Sequence, residues 1–341
     1  MSDVTADRVE ATDLGAGQIR LDVDRFGLTT NNVTYAVFGD ALGYWAHFPT
    51  GDRGCVPVWG FADVVESTHD DVAAGERLFG YLPMASQAVV APDGVTALSI
   101  QDAIEHRRDL HPWYTRLYRC SEDPLYNPTG EPMQAVMWAL FMTGWALADQ
   151  LAGNAASVVV SSASSKTSLA LAWSLRRAAP DITIVGLTSP GNASFVNGTG
   201  AYDITRTYDD LALGDVVGPA AYVDTAGNPG VTGRVHAEVG DRLNDSITLG
   251  ATHRGAGGDG AALVGPAPRF FFIPDVAEQG AADNGAAAYH ARFASAWSDF
   301  APWIGDQLRI EEASGVDAVV DAYQRAAAGA FAPDAAAVLS W

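Results

Sequence analysis

The chain has 341 residues, of which 48% are hydrophobic and 18% are charged, and its formal net charge at pH 7 is −21. This composition is typical of a folded protein long enough for two domains, and the negative charge disfavours nucleic acids and anionic membranes as partners. The sequence has no stretch of about 18 apolar residues, so we expect no transmembrane helix. The start MSDVTADRVEATD is polar and acidic, which is unlike a signal peptide. We therefore expect a cytoplasmic protein.

The first hundred residues predict a series of short strands. QIRLDVDRFGL alternates apolar and polar residues from Ile19 to Phe26, which indicates a half-buried strand. CVPVWGFADVVES predicts a second strand, with a bend or bulge at Gly60. Two further apolar runs are separated by glycine and proline. Several short strands at close intervals favour a small barrel or sandwich.

Residues 101–130 are rich in aromatic residues, arginine and proline, and they predict short helix and loop, a connector that lies over a cleft. The next segment, from Met133 to Ala152, has the length and apolar spacing of a helix. Gly144 within it either splits this helix or permits close packing against another one.

From residue 156 onwards, predicted strands and helices alternate. The runs SVVVSS, DITIVGLTS, AAYVDTAGN and DSITLGATH read as strands, and amphipathic helices separate them. This alternation favours a parallel sheet with helices on both faces. The segment Val158–Ala172, VVVSSASSKTSLALA, predicts a buried strand, a turn and a helix start. It has the Lys-Thr pair of a nucleoside-triphosphate P-loop but neither glycine, which disfavours that function.

Cysteine and lysine are scarce. Cys55 and Cys120 are too few and too far apart for a four-cysteine zinc site, and we expect two reduced thiols, although a pairing stays open. Of the 20 basic residues, 19 are arginine, and the single lysine is Lys166 in the turn after the strand. An arginine does not replace a compact ammonium, so this position favours a function for Lys166 over chance.

Six segments resemble, in chain order, motifs of the medium-chain dehydrogenase/reductase superfamily, in particular its zinc-independent quinone and enoyl reductases. They are VDRFGLTTNNV, PVWGFADVVES, GERLFGYLPMASQAVVAP, GTGAYDITRTYDDL, AAYVDTAGNPG and SGVDAVVDAYQRAAAGAF. The resemblance implies an α/β fold in which a GroES-like β-rich catalytic domain precedes a Rossmann-type domain with a doubly wound parallel sheet. The implied boundaries are 1–132 for the catalytic domain with its connector, 133–280 for the Rossmann-type domain, and 281–341 for a segment returning to the catalytic domain. The resemblance also implies a homodimer.

Where the zinc-dependent branch of this superfamily has a G-H-E motif, the chain reads Trp59-Gly60-Phe61. The resemblance therefore implies no catalytic zinc. The branch without zinc has G-x-x-G-x-x-G after the first Rossmann strand, and the three glycine positions are Ser162, Ser165 and Ser168 here. Their β-carbons would crowd a dinucleotide bound in the usual way, although serine hydroxyls and a helix N-terminus suit a phosphate. Alternatively, these serines only cap a helix.

The resemblance implies a nicotinamide cofactor. The second Rossmann strand ends at Leu187-Thr188-Ser189 with no acidic residue for the ribose 2′-hydroxyl, which favours NADP(H) over NAD(H). The residues expected at the cofactor are Ser162, Ala163, Ser164, Ser165, Lys166, Thr167, Thr188, Ser189, Thr225 and Thr252.

The catalytic site is expected between the two domains, at the carboxyl ends of the parallel strands. A tyrosine or asparagine can donate a hydrogen bond to a substrate carbonyl, and His253 is a further candidate. Lys166 is expected either to place its charge on the cofactor phosphates or to react through its amine. The catalytic candidates are Lys166, Tyr35, Asn32, Tyr44 and His253.

We therefore expect an NADP(H)-dependent, zinc-independent oxidoreductase that reduces a carbonyl or activated alkene of a small molecule. One alternative is a non-redox lyase or aldolase of the same fold that uses Lys166. Another is a non-catalytic protein that binds a small molecule.

Overall fold

The computed structural model describes residues 4–10, 12–51, 53–249 and 263–341. The strands of the N-terminal part are β1 (Ile19–Leu28), β2 (Pro49–Thr50), β3 (Arg53–Gly54), β4 (Pro57–Ser67), β5 (Arg77–Pro83), β6 (Gln87–Val90), β7 (Pro92–Asp93), β8 (Ser99–Asp102) and β9 (Arg116–Arg119). Its helices are α1 (Thr30–Val37), α2 (Pro112–Thr115) and α3 (Glu131–Leu151).

The strands that follow are β10 (Ser157–Val160), β11 (Thr183–Thr188), β12 (Ile204–Thr207), β13 (Ala220–Asp224), β14 (Leu243–Thr248), β15 (Arg269–Phe270), β16 (Arg309–Ser314) and β17 (Ala335–Ser340). The helices among them are α4 (Lys166–Ala178), α5 (Ala193–Thr199), α6 (Pro229–Val239), α7 (Ile273–Asn284), α8 (Ala286–Gln307) and α9 (Val316–Ala327). Among the described residues, no helix combines the length and the apolar character needed to span a membrane.

The chain divides into two compact units. The first unit combines the N-terminal part up to Trp138 with Leu308–Trp341, and the second unit is Ala139–Gln307. The sequence predicts boundaries at residues 132 and 280. Helix α8, which lies in the predicted returning segment 281–341, belongs to the second unit.

The first unit is built on a mixed sheet. In the described part of the chain its nine strands follow the order β16-β17-β1-β4-β5-β9-β8-β7, and β6 also pairs with β1. Ile19, Leu21 and Val23 of β1 are buried, as its alternating sequence predicts. A β-carbon at Gly60 would lie 2.4 Å from the carbonyl oxygen of Arg25, so this glycine permits close approach of β4 to β1. The register shifts of this strand pair lie between Arg20 and Leu21 and between Val23 and Arg25, so Gly60 itself is not at a bulge.

The second unit contains a parallel sheet. Its six described strands follow the order β12-β11-β10-β13-β14-β15, and every pairing between neighbours is parallel. This is the 3-2-1-4-5-6 order of a doubly wound dinucleotide-binding sheet. Helix α3 is continuous, and a β-carbon at Gly144 would lie 2.5 Å from the amide nitrogen of Leu171. Gly144 therefore permits close packing of α3 against α4, and the predicted α/β fold is confirmed.

Candidate functional site

In the second unit, the direction of strand order reverses between β10 and β13, and ligands of such sheets bind at the carboxyl ends of the strands beside this point. The side chain of Ser161 joins the two strand ends. Its hydroxyl donates to Asp224 Oδ1 at 2.7 Å and accepts from the amide of Thr225 at 3.0 Å. The loop after β10 is therefore fixed to the loop after β13.

Ser162 gives this loop its turn. Its φ is +50°, and among the described residues it is the only one besides glycines with a positive φ. The left-handed conformation costs a residue with a β-carbon about 1–2 kcal/mol. The amide of Ser162 donates to the hydroxyl of Tyr208 at 2.8 Å. The chain therefore keeps a turn suited to glycine, although a serine occupies it.

The hydroxyls of Ser165 and Ser168 have partners within the protein. Ser165 is the N-cap of α4, and its hydroxyl accepts from the amide of Ser168 at 3.2 Å and donates to the Ser168 hydroxyl at 2.8 Å. The Ser168 side chain is fully buried and lies 2.9 Å from the Thr225 hydroxyl. These contacts attach α4 to the ends of β10 and β13. The expectation that the serines cap a helix therefore holds for Ser165, and Thr225 has a structural role in the same network.

Lys166 and Thr167 are the first two residues of α4. Amides at these positions have no partner within their own helix, and they lie at the positive end of the helix dipole. The half-buried Lys166 adds a positive charge at the same end, which an anion bound there would balance. These amides and the ammonium are groups suited to a phosphate.

The end of β11 carries neutral groups. The Thr188 hydroxyl is buried and has no hydrogen-bond partner among the described residues. Ser189 follows it, and its side chain makes no capping hydrogen bond to the short helix Pro190–Asn192. The Asn192 side chain donates to the Ser164 hydroxyl at 3.1 Å, and the Tyr202 hydroxyl donates to the carbonyl of Ala163 at 2.8 Å. Thr188 and Ser189 therefore place neutral hydroxyls, and no carboxylate, at this strand end.

In the first unit, the predicted tyrosines lie in an aromatic cluster. The ring centroids of Tyr35 and Tyr44 are 4.8 Å apart, and Tyr81 and Tyr114 pack against them at 5.4 Å and 5.9 Å respectively. Burial raises the pKa of the Tyr35 hydroxyl far above its usual value, and this hydroxyl accepts from Trp59 Nε1 at 3.3 Å. Burial also raises the pKa of Tyr44, while the Tyr114 hydroxyl acts to lower it.

Asn32 has a structural role that the sequence did not indicate. Its side-chain oxygen accepts from the amide of Thr29 at 2.8 Å, which completes a capping box at the start of α1. Its side-chain nitrogen donates to the carbonyl of Pro57 at 2.9 Å. Both ends of this buried carboxamide therefore have partners within the first unit.

The cluster contains residues that the sequence reading missed as site residues, Tyr81 and Tyr114. Tyr81 lies on β5 and Tyr114 on α2, and their ring centroids are 4.8 Å apart. Nothing in the sequence links them, apart from the aromatic composition of the segment around Tyr114. His47 packs edge-on against both, and burial lowers its pKa to about 4, so its ring is neutral at pH 7.

Two predicted residues, Thr252 and His253, lie outside the described residues. Within the described ranges, no group of three or more His, Cys, Asp or Glu side chains could hold a metal ion.

A family model matches residues 26–332 of the chain. The chain belongs to the DUF2855 family. This family is described as a protein of unknown function. No curated protein matches the sequence.

Solved structures match the fold of the chain over nearly its whole length. CurA from Vibrio vulnificus is 14% identical, with 98% of this chain and 92% of that chain covered and a TM-score of 0.59. A mutant enoyl thioester reductase from Candida tropicalis is 8% identical, with coverage of 98% and 93% and a TM-score of 0.59. The yhdH oxidoreductase from Salmonella enterica, in complex with NADP, is 14% identical, with coverage of 98% and 94% and a TM-score of 0.54. The predicted resemblance is confirmed at the level of fold: the DUF2855 chain has the fold of medium-chain dehydrogenases and reductases.

Proposed function

We propose that this chain is an NADP(H)-dependent reductase that acts without zinc on a carbonyl or an activated alkene of a small molecule. The observation that carries the proposal is the loop from Ser161 to Lys166. It keeps the left-handed turn and the capped helix start at the point where the strand order of a doubly wound sheet reverses. CurA with the same fold has a structure in complex with NADPH, and yhdH has one in complex with NADP, which supports this choice of cofactor.

The residues of the second unit fit a dinucleotide. The main-chain amides of Lys166 and Thr167 would donate to the pyrophosphate, and the Lys166 ammonium would balance its charge. Thr188, whose hydroxyl has no hydrogen-bond partner within the described part of the chain, and the neighbouring Ser189 would face the ribose. The nicotinamide, when bound, supplies the hydride. Ser165, Ser168 and Thr225 keep the loop in place through their mutual hydrogen bonds.

Tyr44 would donate its proton to the substrate. When a hydride adds to a carbonyl or a conjugated alkene, negative charge develops on the carbonyl oxygen, and a positioned hydroxyl stabilises it. Because burial raises the pKa of Tyr44, its hydroxyl is protonated at neutral pH and can act as a donor. Tyr35 lies beside it, and its hydroxyl is already hydrogen-bonded to Trp59.

The part of the proposal that excludes zinc rests on the resemblance. Where the zinc-dependent branch has a G-H-E motif, the chain reads Trp59-Gly60-Phe61. A homodimer, and a cytoplasmic location, remain expectations from the resemblance and the composition.

Titration with NADPH and NADH tests the proposal. Nicotinamide fluorescence and thermal shift would report binding, and we expect saturation by NADPH at submillimolar concentration. Turnover would then be followed as loss of absorbance at the nicotinamide band with trans-2-hexenal, crotonyl-CoA and 9,10-phenanthrenequinone as acceptors. If neither dinucleotide binds at millimolar concentration, the proposal is wrong.

A further inference from the structure

A buried ion pair lies in the first unit beside the aromatic cluster. Asp102, at the end of β8, and Arg107 are each 4% exposed, and their side chains form a salt bridge. Asp102 Oδ1 also accepts from the amides of Ala91 and Ile104, at 3.1 Å and 3.0 Å. A buried pair of this kind is stable only when the remaining polar atoms of both partners find hydrogen bonds. The carboxylate has its partners, so the guanidinium decides whether the pair is complete.

The Arg107 guanidinium is fixed at both of its terminal nitrogens. Nη1 donates to the carbonyl of His47 at 3.2 Å, and Nη2 donates to the carbonyl of Val89 at 3.1 Å and pairs with Asp102. The guanidinium carbon lies 4.7 Å from the centroid of the Phe48 ring. Because the guanidinium is planar, these contacts also fix the direction of the Nε–H bond. Nε is buried and has no hydrogen-bond partner among the described residues.

Tyr81 of β5 carries a second buried polar atom of this kind. The residue is 2% exposed, and its hydroxyl makes no hydrogen bond to any residue that the structure describes. The rings of Tyr35, His47 and Tyr114 pack against it at centroid distances of 5.4 Å, 5.2 Å and 4.8 Å. A phenol oxygen lies on the axis of its ring, so a flip of the packed ring does not bring the hydroxyl to another acceptor.

Arg107 and Tyr81 line the same small cavity. Its volume is about 10 Å³, and its other polar lining residues are Asp102, Tyr114 and Thr115. One water molecule needs about 10–15 Å³ of such space and two to four polar partners. A larger ligand exceeds this volume, and the Asp102 carboxylate in the wall disfavours an anion. The size and the lining therefore select a single water.

We propose that one water molecule is bound in this cavity, where it accepts a hydrogen bond from Arg107 Nε and forms a second one with the Tyr81 hydroxyl. In the unfolded chain both groups are hydrogen-bonded to water, and burial without a replacement would cost these bonds. Water both donates and accepts, so it suits a nitrogen that only donates and a hydroxyl that does both. The Thr115 hydroxyl accepts from the Gln101 side chain and keeps its own proton to donate to the same water.

The water site lies next to the segment that carries Tyr44. Arg107 holds the carbonyl of His47, and His47 ends the short helix Tyr44–Ala46. The bound water completes the hydrogen bonds of Arg107 and so supports this segment. It needs neither cofactor nor substrate, and the outcome of its test is therefore independent of the proposed function.

A high-resolution crystal structure tests the site directly. We expect a peak of electron density within about 2.7–3.2 Å of both Arg107 Nε and the Tyr81 oxygen. In crystals of Tyr81→Phe this peak should lose most of its density, because the water loses one of its partners. A wild-type map without a peak in contact with both atoms overturns the inference.

The melting temperature of Tyr81→Phe gives a second test, because its sign differs between the two cases. Phenylalanine keeps the ring and removes the hydroxyl. If the hydroxyl has no partner, its removal eliminates a buried unsatisfied group and raises the melting temperature. If the hydroxyl holds a water, the variant loses that hydrogen bond, and we expect calorimetry to show a fall of about 2–4 °C.

Tyr222→Phe is the matched control. Tyr222 is also fully buried, and its hydroxyl likewise has no partner within the described ranges. It lies on β13 of the second unit and does not line this cavity. We expect the control to keep or raise the melting temperature. The water site is refuted if Tyr81→Phe lowers the melting temperature no more than Tyr222→Phe does.

Discussion

Replacing Ser162 by glycine should stabilise the second unit. Ser162 has a φ of +50°, which costs a residue with a β-carbon about 1–2 kcal/mol. Glycine avoids this cost but loses more chain entropy on folding, by about 0.5–1 kcal/mol. The difference predicts that Ser162→Gly raises the free energy of unfolding by up to about 1.5 kcal/mol.

Urea unfolding followed by circular dichroism would measure this change, and hydrogen exchange of the β10 amides would assign it to the second unit. Ser162→Ala is the matched control, because alanine removes the hydroxyl and keeps the β-carbon at positive φ. We expect this control to leave the stability unchanged or lower. If Ser162→Gly is no more stable than Ser162→Ala, the turn after β10 carries no such strain and our description of the loop is wrong.

Three further predictions concern other parts of the chain. Lys166→Arg should keep the affinity for NADPH within about threefold, because both side chains place one positive charge at the start of α4. In the wild type, treatment with borohydride and a carbonyl compound should leave Lys166 unlabelled. A labelled Lys166 would favour the lyase or aldolase alternative. The folded-state pKa of His47, about 4, lies below its unfolded value. The stability that His47 contributes is therefore complete above about pH 6.5 and is lost as the pH falls towards 4. This loss lowers the free energy of unfolding by about 2–3 kcal/mol. In His47→Gln, urea unfolding between pH 6.5 and 4 should therefore show a smaller loss than in wild type, and an equal loss would contradict the burial of a neutral ring. A net charge of −21 opposes compaction by self-repulsion, so the melting temperature should rise by about 5 °C between 0.1 and 1 M KCl, and a fall would contradict this account.

Strands β10 and β13 of the second unit could be predicted well from the sequence because they are short and buried at every residue. All four residues of β10 are buried, and a polar turn and an amphipathic helix follow them. Such local patterns indicate strands and helices without knowledge of their partners. The place of the loop could be predicted from the same pattern.

The contacts of the serine loop could not be predicted. The hydroxyl of Ser168 meets that of Thr225, which is 57 residues away in the sequence. This contact exists because β13 pairs with β10, and no local pattern specifies which strands become neighbours. The same holds for Tyr44 and Tyr114, which come together through the folding of the first unit rather than through sequence spacing.

The last strand was missed for a different reason. Strand β17 has the sequence AAAVLS, and alanine is depleted in strands and gives no alternating pattern. It is nonetheless buried, because it pairs with β16 on one side and β1 on the other. Strand β9 lies in the segment that was read as connector, and its sequence RLYR is too short to show a period.

The affinity of NADPH for Lys166→Ala and Lys166→Pro tests the central claim that the main chain at the start of α4 holds a dinucleotide phosphate. Ser165 has an extended backbone, with φ −71° and ψ 147°, so a proline is tolerated at the first position of the helix. Both variants lose the ammonium, but only the proline variant loses the amide donor as well.

We predict that the wild type binds NADPH at submillimolar concentration and that Lys166→Ala weakens this binding about tenfold. Lys166→Pro should weaken it by a further factor of about 10, since a hydrogen bond to a charged group contributes about 1.5–3 kcal/mol. Equal dissociation constants for the two variants, or no binding by the wild type at millimolar NADPH, would contradict the account.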